Sequence, residues 1–130
     1  MVLLASILSI LAGLVHVGIF LMESLWWRRP EVWRAFKLRD QQSADDAAFF
    51  AFNQGFYNLF LGLGAIVGPI YVLAGNGTVG WTLYLYSCGS MVAAAAVLRL
   101  RGGPAYTRPA AIQACMPVLA LLFALPPLLS

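Results

Sequence analysis

The stretch VLLASILSILAGLVHVGIFLMESL, residues 2–25, decides the fold of this chain. A helix needs roughly 20 consecutive apolar residues to cross the roughly 30 Å of hydrocarbon in a bilayer, and this stretch supplies them. No Lys or Arg precedes it, so it lacks the basic segment that opens a cleaved signal peptide. The sequence therefore predicts a retained first membrane span.

Three further apolar runs, at about residues 47–73, 79–98 and 109–125, are long enough to span a bilayer. Hydrophobic residues make up 62% of the chain and charged residues only 10%, a balance far outside the usual range for soluble domains. We therefore expect one all-α membrane domain over residues 1–130, built as a bundle of four transmembrane helices.

The connection between the first two spans, residues 26–46, carries most of the charge of the chain. Pro30 suits the first turn of a helix. Val32, Trp33 and Phe36 recur at helical spacing between basic residues. This pattern predicts a short helix that lies in the headgroup layer between the first two transmembrane helices.

Two further patterns predict where the second and third spans begin. Ser43 followed by Asp46 is a capping-box pattern, which places the start of the second span just after it. A tight uncharged turn at residues 75–77 precedes the third span, and Thr78 is available to cap that helix.

All eight Lys and Arg residues fall in the first and third connections between spans. They are Arg28, Arg29, Arg34, Lys37 and Arg39 in the first connection, and Arg99, Arg101 and Arg108 in the third. The positive-inside rule makes these connections cytoplasmic and places both termini on the other side of a plasma (inner) membrane. Because orientation in a bilayer explains the net charge of +3, we expect no nucleic-acid partner.

The first span contains two ionisable residues on nearly the same helix face. His16 and Glu23 are seven residues apart, which separates them by roughly 10 Å along the axis. Ser9, Ala12 and Gly13 share this face. A small and polar face is poorly suited to lipid, so we expect it to point into the bundle.

The second span contributes the block Asn53-Gln54-Gly55-Phe-Tyr57-Asn58. Asn53 and Tyr57 are four residues apart, as are Gln54 and Asn58, so their polar groups form two adjoining rows on one side of the helix. Gly55 lets another backbone come near. The same helix carries a further small-xxx-small pair, at positions 64 and 68, which allows close helix approach.

The remaining spans add a weaker polar face and one amide. The face on the third span consists of Tyr84, Ser87, Cys88 and Met91, and Gln113 lies one turn into the fourth span. Glu23, Asn53, Gln54 and Gln113 fall towards the cytoplasmic third of the membrane and His16 lies deeper, so the sequence predicts a shared intramembrane pocket. The candidate substrate-binding residues are Asn53, Gln54, Tyr57, Asn58, Gln113 and Trp26.

The best chemical use of His16 and Glu23 is as a general acid and base. Two alternatives stay open: buried amides often serve only as glue between helices, at about 0.6 kcal/mol each, and Glu23 could reach the interface towards Arg28 or Arg29. One His and one carboxylate make a poor metal shell, and haem would gain a single axial ligand. We therefore expect no cofactor and no metal.

These motifs resemble a family of small four-span membrane proteins of bacteria and fungi, catalogued as a domain of unknown function. The resemblance covers essentially the whole chain. Its marks are His16, Glu23 and Trp26 or Trp27 in the first span, the block Asn53, Gln54, Gly55, Tyr57 and Asn58 in the second, and Gln113 with Pro117 in the last. The resemblance implies the architecture and a shared polar pocket, and it brings no established activity.

Three functions follow as hypotheses. In the first, an enzyme takes a lipophilic small molecule from the membrane and performs an isomerisation, cyclisation or epoxide opening, with His16 and Glu23 as acid and base. In the second, the chain is a proton- or cation-coupled transporter or channel that works as a homodimer. In the third, it binds membrane lipid without catalysis.

Overall fold

The computed structural model describes residues 1–129 and consists of helices and short connections. The helices are α1 (Val2–Phe20), α2 (Pro30–Ala35), α3 (Gln41–Leu73), α4 (Gly77–Gly102) and α5 (Thr107–Leu129), with a π turn at Leu21–Leu25 and a 3-10 turn at Pro104–Tyr106. Over the described residues there is no strand, and four helices are long and apolar enough to cross a membrane. The predicted all-α architecture, including the short helix between the first two spans, is confirmed.

The four long helices form a ring in the order α1, α3, α4, α5. Helix α1 packs against α3 and α5, and α4 packs against the same two helices, so α1 and α4 lie at opposite corners. Ser9, Ala12, Gly13 and His16 are buried, which confirms the predicted inward face of α1. The predicted face of the third span is buried as well, at Tyr84, Ser87, Cys88 and Met91.

Glycines set the closest helix contacts. A Cβ atom added to Gly62 on α3 would lie 2.9 Å from the carbonyl oxygen of Gly13 on α1. On another face of α3, a Cβ atom added to Gly68 would lie 2.9 Å from the carbonyl oxygen of Gly80 on α4. The backbones of α1, α3 and α4 therefore touch directly, as expected where small residues drive packing in lipid.

Tyr84 joins three helices at the centre of the bundle. Its side chain is fully buried on α4. Its hydroxyl lies 3.0 Å from the carbonyl oxygen of Ala5 on α1 and 2.7 Å from that of Ala120 on α5. These contacts give the phenol the hydrogen-bond partner that a buried hydroxyl requires.

One end of the bundle holds all eight Lys and Arg residues, and we call it the charged end. Here α2 folds back onto the first turns of α3, and Trp27 donates its indole N–H to the carbonyl oxygen of Ala44 at 2.9 Å. The apolar cluster beneath α2 consists of Trp27, Val32, Trp33, Ala44 and Ala51. The short helix α2 is thus held against α3 by the packing of these side chains.

The predicted start of α3 is wrong. The helix begins at Gln41, because the Asp40 side chain accepts a hydrogen bond from the Ser43 N–H at 2.8 Å. Asp46 is not part of a capping box, and its carboxylate accepts instead from the side chain of Gln42 at 2.9 Å. The helix therefore begins three residues earlier than a cap at Ser43 would place it.

The predicted cap of α4 is also wrong. Asn76, rather than Thr78, caps this helix, because its side-chain oxygen accepts from the Val79 N–H at 3.3 Å. Asn at this position satisfies a free N–H of the first turn as well as a hydroxyl would. The turn itself lies where the sequence predicts it.

Replacing Asp40 by Ala is expected to fray the first turn of α3. The Ser43 N–H, helped by the Ser43 hydroxyl and the charge of Arg39, lowers the pKa of the Asp40 carboxyl. A lowered pKa means that the cap stabilises the helix above the unfolded-state pKa of about 3.9 and is lost as the pH falls through the folded-state pKa. Amide hydrogen exchange at residues 43–44 should therefore accelerate in Asp40→Ala.

Asp40→Asn is the matched control for this cap. Asn keeps a side-chain oxygen for the Ser43 N–H but does not titrate. Its exchange rates at neutral pH should resemble those of the wild type, without the additional fraying in acid. Equal exchange rates in the Ala and Asn variants would contradict the assigned role.

Candidate functional site

Glu23 lies in the π turn that ends the first span. The Trp26 N–H bonds to the carbonyl oxygen of Leu21 at 2.8 Å, five residues earlier, which widens the helix by one residue. Single π turns of this kind occur frequently at functional sites. The Glu23 side chain is only 8% exposed, so the widened turn directs a carboxyl group into the protein.

Asn58 on α3 holds this carboxyl group. Its side-chain N–H donates to Oε2 of Glu23 at 2.8 Å and lies 3.2 Å from the carbonyl oxygen of Gln54. Within residues 1–129 nothing bonds to Oε1 of Glu23, which stays available to another molecule. The carboxyl group faces α3, and its partner is an amide rather than Arg28 or Arg29.

Gly55 provides the room for this arrangement. Ser24, next to Glu23, donates its hydroxyl to the carbonyl oxygen of Phe52 at 2.9 Å. A Cβ atom on Gly55 would collide with the Ser24 hydroxyl and lie 3.1 Å from Cβ of Glu23. Gly55 does allow a close approach, but the atoms that come near it belong to the side chains of Ser24 and Glu23 in the π turn and not, as the sequence predicted, to another backbone.

Glu23 lines a half-open pocket of ≈ 330 Å³ at the charged end. This volume falls within the range of about 300 to 1,000 Å³ typical of small-molecule sites. Its walls are formed by Glu23, Ser24, Leu25, Trp27, Arg28, Ala48 and Phe52. Acidic, hydroxyl and basic groups thus share the pocket with aromatic and aliphatic walls, a combination that suits an amphipathic molecule.

His16 lies deeper in the bundle and is fully buried. Its Nδ1 lies 3.0 Å from the carbonyl oxygen of Ala12. A carbonyl only accepts, so Nδ1 carries the proton and Nε2 presents a lone pair. Nε2 is buried and has no partner within the described chain. His16 is not part of the pocket wall, so the structure places the two predicted catalytic residues on one face without bringing them together.

The other predicted substrate-binding residues take different positions. Asn53, Gln54 and Tyr57 are exposed on the outside of α3, and Gln113 is half-buried. Trp26 is 40% exposed and stacks with the guanidinium of Arg29 at 5.2 Å. Of the predicted substrate-binding residues, Asn58 is the one that contacts Glu23.

The pocket contains residues that the sequence analysis did not single out. Ser24, Ala48 and Phe52 line it, and no motif marks them. The signal that was available is the spacing of Gly55, Asn58 and Gly62 at i, i+3 and i+7, since two glycines on one face predict the side that approaches α1. Asn58 lies between them on that side.

A shallow apolar hollow of ≈ 320 Å³ lies between α4 and α5, lined by Val92, Ala95, Ala96, Arg99, Thr107, Ala110, Ala111 and Ala114. In the part of the chain that the structure describes, no three His, Cys, Asp or Glu side chains lie close enough to share a metal ion.

Residues 10–125 match the model of a family described as "Protein of unknown function (DUF1304)". No curated protein and no solved structure matches the chain. The matched segment runs from the middle of α1 to near the end of α5, and includes Glu23, Asn58 and the whole pocket wall. Because the match covers most of its length, the chain belongs to the DUF1304 family of proteins of unknown function.

Proposed function

We propose that this membrane protein is an enzyme that transfers protons on a lipophilic small molecule, with Glu23 as the acid–base group. The observation that carries the proposal is the Glu23 carboxyl, fixed through Oε2 by Asn58 at the wall of a pocket of ≈ 330 Å³. A buried carboxyl with one oxygen positioned and one oxygen available is the arrangement that general acid–base catalysis needs.

Isomerisation and cyclisation are the reactions that suit a single carboxyl best. Oε1 of Glu23 would take a proton from one atom of the substrate and return a proton to another. Both reactions leave the atomic composition of the substrate unchanged, so they consume no second substrate. Epoxide opening by hydrolysis would require a water molecule in addition.

His16 is the second proton-transfer group in this proposal. Its Nε2 lone pair is buried without a partner, which leaves it free to accept a proton. It lies about 10 Å deeper than Glu23 along the helix, since seven residues separate them. A substrate that entered the bundle beyond the pocket would extend from one group towards the other.

The substrate would enter at the charged end, which the sequence predicts to be cytoplasmic. Arg28 at the pocket would contact a polar or anionic head of the molecule, while Leu25 and Phe52 would contact its apolar body. This division of the pocket wall favours an amphipathic molecule drawn from the cytoplasmic leaflet over a small ion.

The polar groups nearer the end opposite the charged end do not favour a transport pathway. Ser9 donates its hydroxyl to the carbonyl oxygen of Ala65 at 2.7 Å, and the Tyr84 hydroxyl bonds to two carbonyl oxygens. These hydroxyls hold helices together and offer little to a moving ion. Lipid binding without catalysis uses the same pocket, and it differs from the proposal only in the absence of chemical conversion.

The first test is the identity of small molecules that remain bound after purification in mild detergent. Mass spectrometry of the wild-type protein should detect an amphipathic molecule, and Ala48→Trp, which fills the pocket, should lose it. Ala111→Trp fills the hollow between α4 and α5 and is the matched control. Retention of the molecule in Ala48→Trp, or its loss in both variants, would refute the assignment of this pocket.

A further inference from the structure

The hollow between α4 and α5 runs inward from the charged end. Arg99 and Val92 mark its two ends on α4, and Thr107 and Ala114 mark them on α5. Each pair is seven residues apart, so the hollow follows the helix axes for about 10 Å. Arg99 lies about 33 Å along the axis from Gly77, the first residue of α4. A bilayer with about 30 Å of hydrocarbon therefore places Arg99 at its boundary and the rest of the hollow inside it.

The hollow has the shape of a slot for a single flexible chain. Its walls are mostly alanine side chains, which leave a gap between the two adjacent helices. A volume of ≈ 320 Å³ over about 10 Å of axis gives a mean cross-section of about 30 Å². A helix with its side chains is about 10 to 12 Å across, so it cannot enter this space. An acyl chain, which is one methylene wide, can.

The positive charge beside the hollow has no counterpart in the protein. Arg99 lines its mouth, and Arg108 lies three residues before Ala111, on the same side of α5. The chain has no Asp or Glu after Asp46, so α4 and α5 carry no acidic side chain. Within the part of the chain that the structure describes, neither arginine forms an ion pair with an acidic residue of another element. The counter-ion of these two guanidinium groups therefore comes from outside the chain.

We propose that the hollow binds an anionic phospholipid from the leaflet at the charged end. The phosphate would contact the guanidinium groups of Arg99 and Arg108 and accept from the Thr107 hydroxyl, and one acyl chain would lie between the alanines. Arginine binds phosphate through charge-assisted hydrogen bonds, and a headgroup with net negative charge is attracted more strongly than a zwitterionic one.

The depth of the groups agrees with this occupant. The arginines lie at the hydrocarbon boundary and the alanines deeper, which is the order in which a phospholipid presents its headgroup and its chains. The hollow shares no lining residue with the pocket beside Glu23. The inference therefore does not depend on the proposed function.

Binding of added lipid to the purified full chain tests this site. Native mass spectrometry follows the protein, washed free of lipid in detergent, as it is titrated with anionic phosphatidylglycerol or with zwitterionic phosphatidylcholine. The wild type should bind one phosphatidylglycerol about thirtyfold more tightly than phosphatidylcholine, since each of two arginines near an anionic headgroup contributes about 1 kcal/mol. Arg99→Gln should weaken the binding of phosphatidylglycerol about fivefold for the same reason.

Two matched controls accompany these variants. Arg34→Gln removes an exposed arginine on α2, outside the hollow, and should bind phosphatidylglycerol like the wild type. Ala111→Trp should abolish the preference for phosphatidylglycerol because the indole fills the hollow, whereas Ala93→Trp, at an exposed position of α4 outside the hollow, should keep it.

Four results would each overturn the proposal. They are equal affinity of the wild type for the two lipids, an equal loss of affinity in Arg99→Gln and Arg34→Gln, undiminished binding in Ala111→Trp, and displacement of phosphatidylglycerol by inorganic phosphate at the same concentration. The last result would mean that the acyl chain contributes nothing and that the arginines bind any soluble anion.

Discussion

Gly80→Leu is expected to abolish the folded bundle. A Cβ atom at this position on α4 would lie 2.5 Å from the backbone nitrogen of Val72 and 2.9 Å from the carbonyl oxygen of Gly68. Both obstacles belong to the backbone of α3, which cannot rotate aside as a side chain can. The two helices would have to separate, and the contact that joins α4 to α3 would open along its length.

Gly80→Leu should lower the free energy of unfolding by about 3 kcal/mol or more, which is the upper end of what overpacking a core costs. Thermal unfolding in detergent, followed by circular dichroism and size-exclusion chromatography, measures it. Gly89→Leu on the same helix is the matched control, because a Cβ atom there meets nothing within 4 Å. Leu is a better helix former than Gly, so this variant should be neutral or slightly stabilising. Comparable destabilisation in both variants would contradict the packing explanation.

Hydropathy and spacing suffice to predict the architecture, because a bilayer admits few solutions. Backbone polar groups in hydrocarbon must be satisfied inside the protein, which only helices and closed barrels achieve. Apolar runs of roughly 20 residues match spanning helices, whereas a spanning strand needs only about 9 to 11 residues. The inward face of α1 follows for the same reason, since Ser9 and His16 on one side of a span avoid lipid. Its burial in the structure agrees with that reasoning.

The helix starts were harder to predict because several polar residues compete for each. Asp40 and Ser43 are both good caps, and the sequence alone gives no reason to prefer the first. Which of the two residues caps α3 depends on how the preceding segment packs against this helix. The Trp27 indole N–H donates to the carbonyl oxygen of Ala44, and with the chain held in this way Asp40 reaches the Ser43 N–H. That contact is tertiary and has no local signature.

The sequence predicts which face of α1 points into the bundle, but it does not predict which face of α3 packs against α1. On α3 the polar block presents groups in several directions, and periodicity does not tell which direction faces α1. Gly55 and Gly62 decide it, because side chains of the π turn come close to Gly55 and the backbone of α1 comes close to Gly62, and Asn58 lies between the two glycines. The π turn at Glu23 carries no sequence signal that we can identify, yet it directs the carboxyl group towards Asn58.

Glu23→Gln should lower turnover of the bound amphipathic molecule by about 10²- to 10⁴-fold, the usual contribution of a general acid or base. Gln has nearly the same shape as Glu and keeps an oxygen that can accept from Asn58, so the fold and the pocket should persist. The measurement is conversion of the molecule identified by mass spectrometry, followed with purified wild type and variant in the same detergent. Unchanged conversion would exclude proton transfer by Glu23.

A control variant and a parallel binding measurement separate a loss of catalysis from a loss of binding or of folding. Glu31→Gln removes the carboxylate of an exposed residue on α2, outside the pocket, and turnover should stay at the wild-type level. Binding of the molecule to Glu23→Gln is measured in parallel. If Glu23 transfers protons, binding persists while conversion disappears, because the amide preserves contacts but cannot exchange a proton at a useful rate. If the pocket only holds lipid, wild type and variant bind alike and neither converts the molecule, and the enzyme hypothesis fails while the pocket remains.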